Sequence, residues 1–449
     1  EICACLVGSE MCIRDRDTQT MEQLSKWCGI SVTDIEKLTD IFCSTAKIPL
    51  VAYTGLEYQL SAIQNNRAIF VLWAITGKLD APGAIYLNAK GLETPKLFEI
   101  PEDDKPIGVD EFPLFYKFSG QGQFSRFPKA VLEDEPYPVR GLMILGGSPV
   151  LSFPDSKSWR EAYKKLDCLI VLDRYFTEDA RYADVVFPAC SLFEVPKAVP
   201  GPEGPHIVEP LIEPVGESKN DVLIMGAIAK KLGFGDKLPQ TEEELRSWLL
   251  SGTAPYAGDF GTSADQKKEK HYKKYETGEL RADGKPGFPT PSGKLEICST
   301  ILEENGFVPY PEYKDVRSIP ELAGKEYPFT MTSGARSNNR MGVFGANLDK
   351  IAEIEPYPFV DINAEDAKEI GIEDGDMVKV ITPFADGTFK AKIRGIARHA
   401  IHIPHGGGSA YMAEPWKNGN VNDLCSLDYA DPMTGFVLIK SVPCRVEKV

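Results

Sequence analysis

Short apolar runs alternate with segments of helical period between residues 139 and 189. The apolar runs cover residues 142–145, 168–172 and 185–187. A segment with apolar residues three and four positions apart separates the first run from the second, and a shorter helical segment precedes the third. The order strand, helix, strand, helix, strand predicts a parallel sheet with helical crossovers.

Small and acidic residues directly follow two of these predicted strands. Gly146 and Gly147 end the first strand, and Asp173 ends the second. Ligands of parallel sheets bind outside the carboxyl ends of the strands, so this edge is a candidate nucleotide site. On spacing alone, an ordinary turn explains the glycine pair better, because the sequence Gly-Gly-Ser-Pro does not match G-x-G-x-x-G.

The remainder of the α/β part is less regular. The pattern predicts a helix opened by Thr33, a strand over residues 48–53 and an apolar helix over residues 65–76. Residues 91–138 are rich in Pro, Gly and charge without a clear period, and we expect a long surface excursion there. The first 16 residues lead into no predicted element and lack a signal-peptide pattern, so we interpret them as a non-native segment.

From about Tyr327 onward, six short β-rich runs replace the helical pattern and predict a β-barrel. The predicted fold class is therefore α/β, with Rossmann-like parallel-sheet structure followed by a C-terminal barrel. We divide the chain into the non-native segment 1–16, a Rossmann-like lobe over 17–214, the remainder of the α/β part over 215–326, and the barrel over 327–449.

Composition and charge exclude several classes of function. The 449-residue chain has a formal net charge of −16 and a pI near 5.0, which argues against a general binder of nucleic acid or anionic membranes. No apolar run approaches the roughly 20 residues of a membrane-spanning helix, so any membrane attachment requires a partner. The ten cysteines include no C-x-x-C pair and no iron–sulfur or zinc spacing.

Five blocks of sequence together carry a family resemblance. The glycine pair lies in ILGGSPVLSFPD, and Asp173 lies in VLDRYFTEDARYADVVFPA. The blocks cover residues 55–84, 144–155, 171–189, 287–299, and 331–340 with 360–380. In this order they resemble the molybdopterin oxidoreductases of the dimethyl-sulfoxide-reductase type. These enzymes use a molybdenum bis(molybdopterin guanine dinucleotide) cofactor, and the tail NVNDLCSLDYADPMTGFVLIK also fits them.

The resemblance implies a C-terminal barrel of the double-psi type and a chain that lacks its first part. Family members begin with cysteines for a 4Fe-4S cluster and then supply a molybdenum ligand, and neither is visible here. We therefore interpret the chain as a fragment of a catalytic subunit whose whole performs two-electron redox chemistry at molybdenum. The implied partners are a small-molecule substrate, an iron–sulfur electron-transfer subunit and, in some members, a membrane anchor subunit. The location stays open between the cytoplasm and export through the twin-arginine route, with membrane association through partners.

The resemblance assigns cofactor contacts in the α/β part to Gly146, Gly147, Ser148, Asp173, Thr177 and Asp221. The carboxylate of Asp173 suits guanine, whose N1–H and N2 amino group are adjacent donors. Asp173 otherwise caps the following helix. Thr177 either contacts the guanosine or caps that helix. Asp221 either approaches the cofactor or is a first-turn acid favoured by the dipole of a helix predicted over residues 220–232.

In the barrel part, the resemblance assigns cofactor contacts to Ser333, Gly334, Arg336, Asn338, Arg340, Asn422 and Lys440. The guanidinium groups of Arg336 and Arg340 suit a pyrophosphate, and Lys440 suits a phosphate. The side chain of Asn422 offers both a donor and an acceptor to a pterin edge. The alternatives are a solvated polar loop, a turn asparagine and an exposed lysine.

Two other functions compete with a molybdenum enzyme. A non-catalytic relative would keep the fold and act as a structural subunit of an electron-transfer complex. The sequence that precedes this chain would distinguish such a relative from a molybdenum enzyme. An NAD-dependent dehydrogenase is disfavoured because the chain has no G-x-G-x-x-G turn. No catalytic residue and no metal ligand is assigned within this chain.

We predict that the chain by itself binds far less than one equivalent of molybdenum, because the resemblance places the direct metal ligand outside it. Metal analysis after native purification checks this, with a complete family member purified in parallel as the control. Stoichiometric molybdenum in the isolated chain would contradict the interpretation.

Overall fold

The computed structural model describes residues 6–7, 20–87, 105–199, 204–251, 271–334, 347–414 and 416–449. The chain divides into two units. The first unit comprises Glu1–Glu57, Ser61–Thr94 and Lys268–Lys314, and the second comprises Tyr58–Leu60, Pro95–Lys267 and Asp315–Val449. Both units are thus built from segments that lie far apart in sequence, and the predicted division at residues 214 and 326 stays a prediction.

The described helices and strands are numbered in chain order. The helices are α1 (Met21–Cys28), α2 (Val32–Ser44), α3 (Ala62–Ile75), α4 (Pro113–Ser119), α5 (Phe127–Glu133), α6 (Pro149–Ser152), α7 (Ser156–Lys165), α8 (Asp221–Lys231), α9 (Glu242–Leu250), α10 (Lys274–Thr277), α11 (Thr300–Glu304), α12 (Asp349–Ile354) and α13 (Ala364–Glu369). The strands are β1 (Leu6–Val7), β2 (Gly141–Leu145), β3 (Cys168–Asp173), β4 (Val185–Pro188), β5 (Lys197–Val199), β6 (His206–Val208), β7 (Leu295–Glu296), β8 (Phe329–Ser333), β9 (Phe359–Ile362), β10 (Met377–Ile381), β11 (Asp386–Ile393), β12 (Ala400–Ile403) and β13 (Lys440–Lys448).

Helices dominate the described part of the first unit. The helix predicted to open at Thr33 is α2, and its N-cap is Ser31, whose side chain accepts a hydrogen bond from a first-turn amide. The prediction of a strand over residues 48–53 is wrong, since this segment forms no strand among the described residues. A strand needs a neighbour for its backbone groups, and the described part of this unit offers none there. None of the helices described in either unit combines the length and apolar character needed to cross a bilayer.

The three apolar runs between residues 139 and 189 form a parallel sheet in the order β2-β3-β4, as predicted. Leu145 lies opposite Leu172, and Asp173 lies opposite Pro188, so the carboxyl ends of the strands meet at one edge. The amide of Gly146 extends this ladder by donating to the carbonyl of Leu172 at 2.9 Å. The parallel register therefore places the glycine pair and the aspartate side by side.

A helix from the region predicted as a surface excursion belongs to the core beside this sheet. Phe127 of α5 stacks on Trp159 of α7 with ring centroids 5.5 Å apart, and both side chains are buried together with Val171 of β3. The expectation for residues 91–138 is therefore wrong over this helix. With only seven residues, α5 is too short for its apolar positions to reveal a helical period.

In the C-terminal region, the described strands close into a six-stranded barrel in the order β10-β11-β9-β12-β8-β13. The pairs β9·β11 and β8·β12 are parallel, and the other neighbouring pairs are antiparallel. Alternate residues of β8 (Phe329, Met331 and Ser333) are buried, which is the period of two expected of a strand with one face in the core. The predicted barrel is confirmed.

Candidate functional site

The turn after β2 consists of Gly146 and Gly147, so no side chain covers its backbone. Gly146 has φ of +58°, a left-handed conformation that favours glycine. A Cβ added to Gly146 would meet no atom within 4 Å, and one added to Gly147 would meet only Ile144 Cγ2 and Leu145 O, both at 3.9 Å. Packing among the described residues therefore does not require glycine at residue 147, and open space lies in front of the turn.

A cavity of about 380 Å³ lies at this edge of the sheet. Gly146 lines it from the turn after β2, Asp173 from the end of β3, and Asp221 from the first turn of α8. Its other lining residues are Arg174, Ala189, Cys190, Ser191, Leu192, Val195, Asn220 and Val222. The fold thus brings together three residues that are separated by up to 75 positions in the sequence.

Two acids face this cavity together. Burial raises the pKa of Asp221 and the negative charge of Asp173 raises it further, while Arg174 acts in the opposite direction. Asn220 caps α8, so Asp221 occupies the first helical position, where the helix dipole favours a carboxylate. One oxygen of Asp173 accepts a hydrogen bond from the amide of Tyr175 at 3.1 Å. The cavity therefore presents carboxylate acceptors, which suit a ligand with N–H donors.

A buried carboxylate holds the glycine turn in place. Asp179 accepts hydrogen bonds from the hydroxyl of Ser148, from the amide of Val150 (3.1 Å) and from the hydroxyl of Tyr163 (2.8 Å). Burial raises the pKa of Asp179, and these hydrogen bonds oppose that shift. The hydroxyl of Ser148 is thus used within the protein. The sequence analysis did not identify Asp179 as a positioning residue. The only signal for it in the sequence was an acidic residue among the apolar residues of block 171–189.

Thr177 and three residues of the barrel loop stay as predictions. The hydroxyl of Thr177 accepts a hydrogen bond from the amide of Ala180 at 3.3 Å, which is the capping role given above as its alternative. Thr177 is not among the residues that line the cavity. Arg336, Asn338 and Arg340 lie outside the described residues.

Three predicted residues of the barrel meet at the end of β8. Lys440 Nζ donates a hydrogen bond to the carbonyl of Ser333, and both residues are buried. Gly334 has φ of +111°, and a Cβ there would lie 2.7 Å from Lys440 Nζ and 3.3 Å from Nε2 of His405, a residue that was not predicted. Burial lowers the pKa of Lys440. The amine of Lys440, the imidazole of His405 and the backbone of Gly334 therefore lie close together. None of these three residues lines the cavity beside Asp173.

Asn422 connects the barrel region to the helix after the glycine turn. Its side-chain amide donates to the carbonyl of Leu151 in α6 at 2.7 Å, and its backbone carbonyl accepts from the amide of Asp155 at 2.9 Å. The side chain is buried, and its Oδ1 has no hydrogen-bond partner in the described part of the chain. Asn422 therefore ties its own segment of the barrel region to α6 and to Asp155, and its Oδ1 remains as an unused acceptor.

Two family models match the chain over the sheet and the barrel just described. The model for the Molybdopterin oxidoreductase matches residues 56–231, and the model for the Molydopterin dinucleotide binding domain matches residues 330–443. The three predicted cavity residues lie in the first match, and the cluster around Lys440 lies in the second. The chain belongs to the molybdopterin oxidoreductase family, which confirms the resemblance inferred from the sequence.

Named relatives of this chain act on different compounds. The F420-dependent formate dehydrogenase subunit alpha of Methanocaldococcus jannaschii is 27% identical over 409 residues, covering 86% of this chain and 57% of that protein. The assimilatory nitrate reductase catalytic subunit of Bacillus subtilis is 24% identical over 469 residues, covering 96% of this chain and 61% of that protein. The chain therefore spans less than two thirds of the length of these relatives.

A solved structure shares the fold of this chain. The acetylene hydratase from Pelobacter acetylenicus matches with a TM-score of 0.78 at 20% identity, and the match covers 99% of this chain and 67% of that chain. At this identity the likeness shows the fold alone, and it agrees with the parallel sheet and closed barrel described above.

We predict that Tyr163→Phe lowers the free energy of unfolding by about 1–3 kcal/mol, because it removes a donor from the buried carboxylate of Asp179. Denaturant titration measures the change. Tyr137→Phe is the matched control, since Tyr137 is exposed and should shift stability by no more than about 0.5 kcal/mol. Equal shifts in the two variants would contradict the positioning role of Asp179.

We predict that Asp173→Asn lowers the pKa of Asp221, because it removes the like charge that disfavours ionisation of that carboxyl. Titration of the side-chain carboxyl resonances by NMR measures this directly. Asp167→Asn is the control, since it removes an exposed acid next to the opposite end of β3 and should leave the Asp221 titration in place. An unchanged titration of Asp221 in the Asp173 variant would show that the two acids are not coupled.

Proposed function

We propose that this chain is part of the catalytic subunit of a molybdenum-dependent oxidoreductase, and that its cavity holds the guanine end of a molybdopterin guanine dinucleotide. The observation that carries this proposal is the meeting of Gly146, Asp173 and Asp221 at one cavity beside the carboxyl ends of parallel strands. Membership of the molybdopterin oxidoreductase family supports it.

The chemistry of the cavity fits a guanine ring. Guanine presents N1–H and the N2 amino group side by side, and the carboxylate of Asp173 offers two oxygens to such a pair of donors. The bare backbone at residues 146–147 permits close approach of the nucleotide. A volume of about 380 Å³ lies within the range of about 300–1,000 Å³ that is usual for small-molecule sites. Asp221 would then contribute a second carboxyl beside Asp173.

The charges of the described residues support a location for the other parts of the proposed cofactor. Asp173 and Asp221 would repel a phosphate, whereas Lys440 on the barrel would attract one. The unused Oδ1 of Asn422 would accept a hydrogen bond from a pterin N–H group. We therefore assign the guanine to the sheet edge and the phosphates and pterin to the side of the barrel on which Lys440 lies.

The bound cofactor would supply the two-electron redox chemistry of molybdenum, and the residues of this chain would bind and orient its organic part. For the whole protein we propose the bis form of the cofactor, a 4Fe-4S cluster and an iron–sulfur partner subunit, all of which rest on the resemblance. The substrate is proposed only as a small molecule, since the named relatives range from a formate dehydrogenase to a nitrate reductase.

We predict that Gly147→Ala removes most of the bound guanine nucleotide while leaving the fold intact. The new methyl group would meet the protein only at ordinary contact distances, so unfolding free energy should change by less than about 1 kcal/mol. The same methyl group would occupy space that the nucleotide needs, and its content should fall at least tenfold. Acid release and chromatography of the nucleotide from the cofactor-loaded catalytic subunit measure this, with molybdenum determined on the same sample.

Gly395→Ala is the matched control for this experiment. A Cβ at Gly395 would meet no neighbour within 4 Å, and this residue lies on the barrel between β11 and β12. This variant should keep the nucleotide and molybdenum content of the parent protein. The proposal fails if Gly147→Ala retains the parental nucleotide content, or if the parent protein contains no guanine nucleotide.

A further inference from the structure

The chain leaves the sheet after β4 and returns beside it immediately before α8. Ala189, which follows β4, pairs with Lys219 in a parallel bridge. The amide of Lys219 donates to the carbonyl of Pro188 at 3.1 Å, and the amide of Cys190 donates to the carbonyl of Lys219 at 3.0 Å. Since Asp221 is the first residue of α8, the point at which the chain returns determines where Asp221 lies.

Glu194 ties the part of the chain that leaves the sheet to the part that returns. Its carboxylate accepts hydrogen bonds from the amide of Ser191 at 2.5 Å, from the amide of Val215 at 2.6 Å and from the hydroxyl of Ser218 at 3.2 Å. Glu194 is buried, and hydrogen bonds to an ionised carboxylate are roughly twice as strong as those between neutral groups. One side chain therefore joins both ends of the segment over residues 190–218.

These hydrogen bonds keep the carboxylate of Glu194 ionised. The hydrogen bonds from Ser191 and from the amide of Val215 lower the pKa of Glu194 to about 2, although burial acts in the opposite direction. The carboxylate therefore holds its partners at neutral pH and would lose them only as the pH falls through this value. A glutamine in its place would keep one acceptor oxygen and would turn N–H donors toward an amide donor.

Residues that line the cavity beside Asp173 lie next to these hydrogen bonds, whereas Glu194 itself does not line it. On the part of the chain that leaves the sheet, the lining residues are Cys190, Ser191, Leu192 and Val195, here called the cavity wall. After the chain returns, they are Asn220, Asp221 and Val222. Glu194 therefore acts on the cavity only through other residues.

We propose that Glu194 is a positioning residue of the nucleotide cavity, which holds the cavity wall against the start of α8 and so sets where Asp221 lies relative to Asp173. The identity of the ligand, the guanine end of the cofactor, rests on the proposed function. Without the carboxylate, the cavity wall would move away from α8, water would reach Cys190 and Asp221, and the nucleotide would be held less tightly.

A second set of hydrogen bonds closes the same segment farther from the cavity. The carbonyl of Phe193 accepts from the amide of Leu211 at 2.8 Å and from the amide of Ile212 at 3.2 Å. None of these three residues lines the cavity. Since these bonds remain when the carboxylate of Glu194 is removed, we expect Glu194→Gln to loosen the cavity wall without unfolding the protein.

Two native groups report on the cavity wall without any ligand. Burial raises the pKa of the Cys190 thiol, so opening of the wall would both expose the thiol and favour its reactive thiolate. In Glu194→Gln we expect alkylation of Cys190 by iodoacetamide to become about fivefold faster or more, with the exposed Cys168 as the reference thiol. Peptide mass spectrometry distinguishes the two thiols. The pKa of Asp221 should fall toward its ordinary value, because burial is the main cause of its rise.

The nucleotide is measured on the cofactor-loaded catalytic subunit. Glu194→Gln should lower its guanine nucleotide content about tenfold, because a binding site loses affinity when its supporting residues let it move. Glu213→Gln is the matched control, since it makes the same change at an exposed acid of the same segment. This control should keep the Cys190 labelling rate, the Asp221 titration and the nucleotide content of the parent protein.

Unchanged Cys190 labelling and an unchanged Asp221 titration in Glu194→Gln would overturn the proposal. If that variant does not fold, Ser218→Ala decides, because it removes only the hydroxyl partner of Glu194. A smaller fall in the pKa of Asp221 would then support the proposal, and an unchanged titration would overturn it.

The same samples separate this proposal from the proposed function. A Glu194→Gln subunit with a loosened cavity wall but parental nucleotide content would show that the wall does not hold the ligand, which overturns the positioning role alone. A parent subunit without guanine nucleotide would refute the proposed function, while the labelling of Cys190 and the titration of Asp221 would still decide whether Glu194 holds the cavity wall.

Discussion

The parallel register of β2, β3 and β4 is the constraint on which the candidate site depends. Because Leu145 lies opposite Leu172, the turn at Gly146 must begin where β3 is about to end at Asp173. A shift by one residue would turn the side chains of a strand to the opposite face of the sheet and would move the Gly146 turn away from Asp173. The apolar packing of the sheet therefore determines where the polar residues of the cavity can lie.

Two buried polar side chains, those of Asp179 and Asn422, hold the segments around the cavity in place. Asp179 ties Ser148 and Val150 to Tyr163, and so holds the residues that follow the glycine pair. Asn422 ties α6 to the barrel region. Such groups are costly to bury unless they are hydrogen-bonded, and removing one partner leaves the other unsatisfied. The residues that follow the turn are thus held by several hydrogen bonds, and a precise binding site requires such support.

The sequence was sufficient to predict the parallel sheet, the barrel and the edge at which Gly146 and Asp173 meet, because apolar runs of strand length recur there at clear intervals. It was insufficient for α5, whose seven residues are too few to show a period. It was also insufficient for His405 and Asp179, since each lies beside residues that are distant along the chain. The segment over residues 48–53 has the composition of a strand but forms none in the described structure, because strand formation depends on a partner as well as on propensity.

The sequence by itself determined the fold class and the family. The local hydrophobic pattern and the five ordered blocks can both be recognised without knowledge of any contact between residues. Only the tertiary structure decided which polar residues share the cavity and that the hydroxyl of Ser148 binds within the protein. It also decided that burial, together with the charge of Asp173, raises the pKa of Asp221. The physical reason is that burial, charge coupling and hydrogen-bond satisfaction depend on distances between residues far apart in the chain. Those distances follow from the packing of the sheet and the closure of the barrel, which no local pattern encodes.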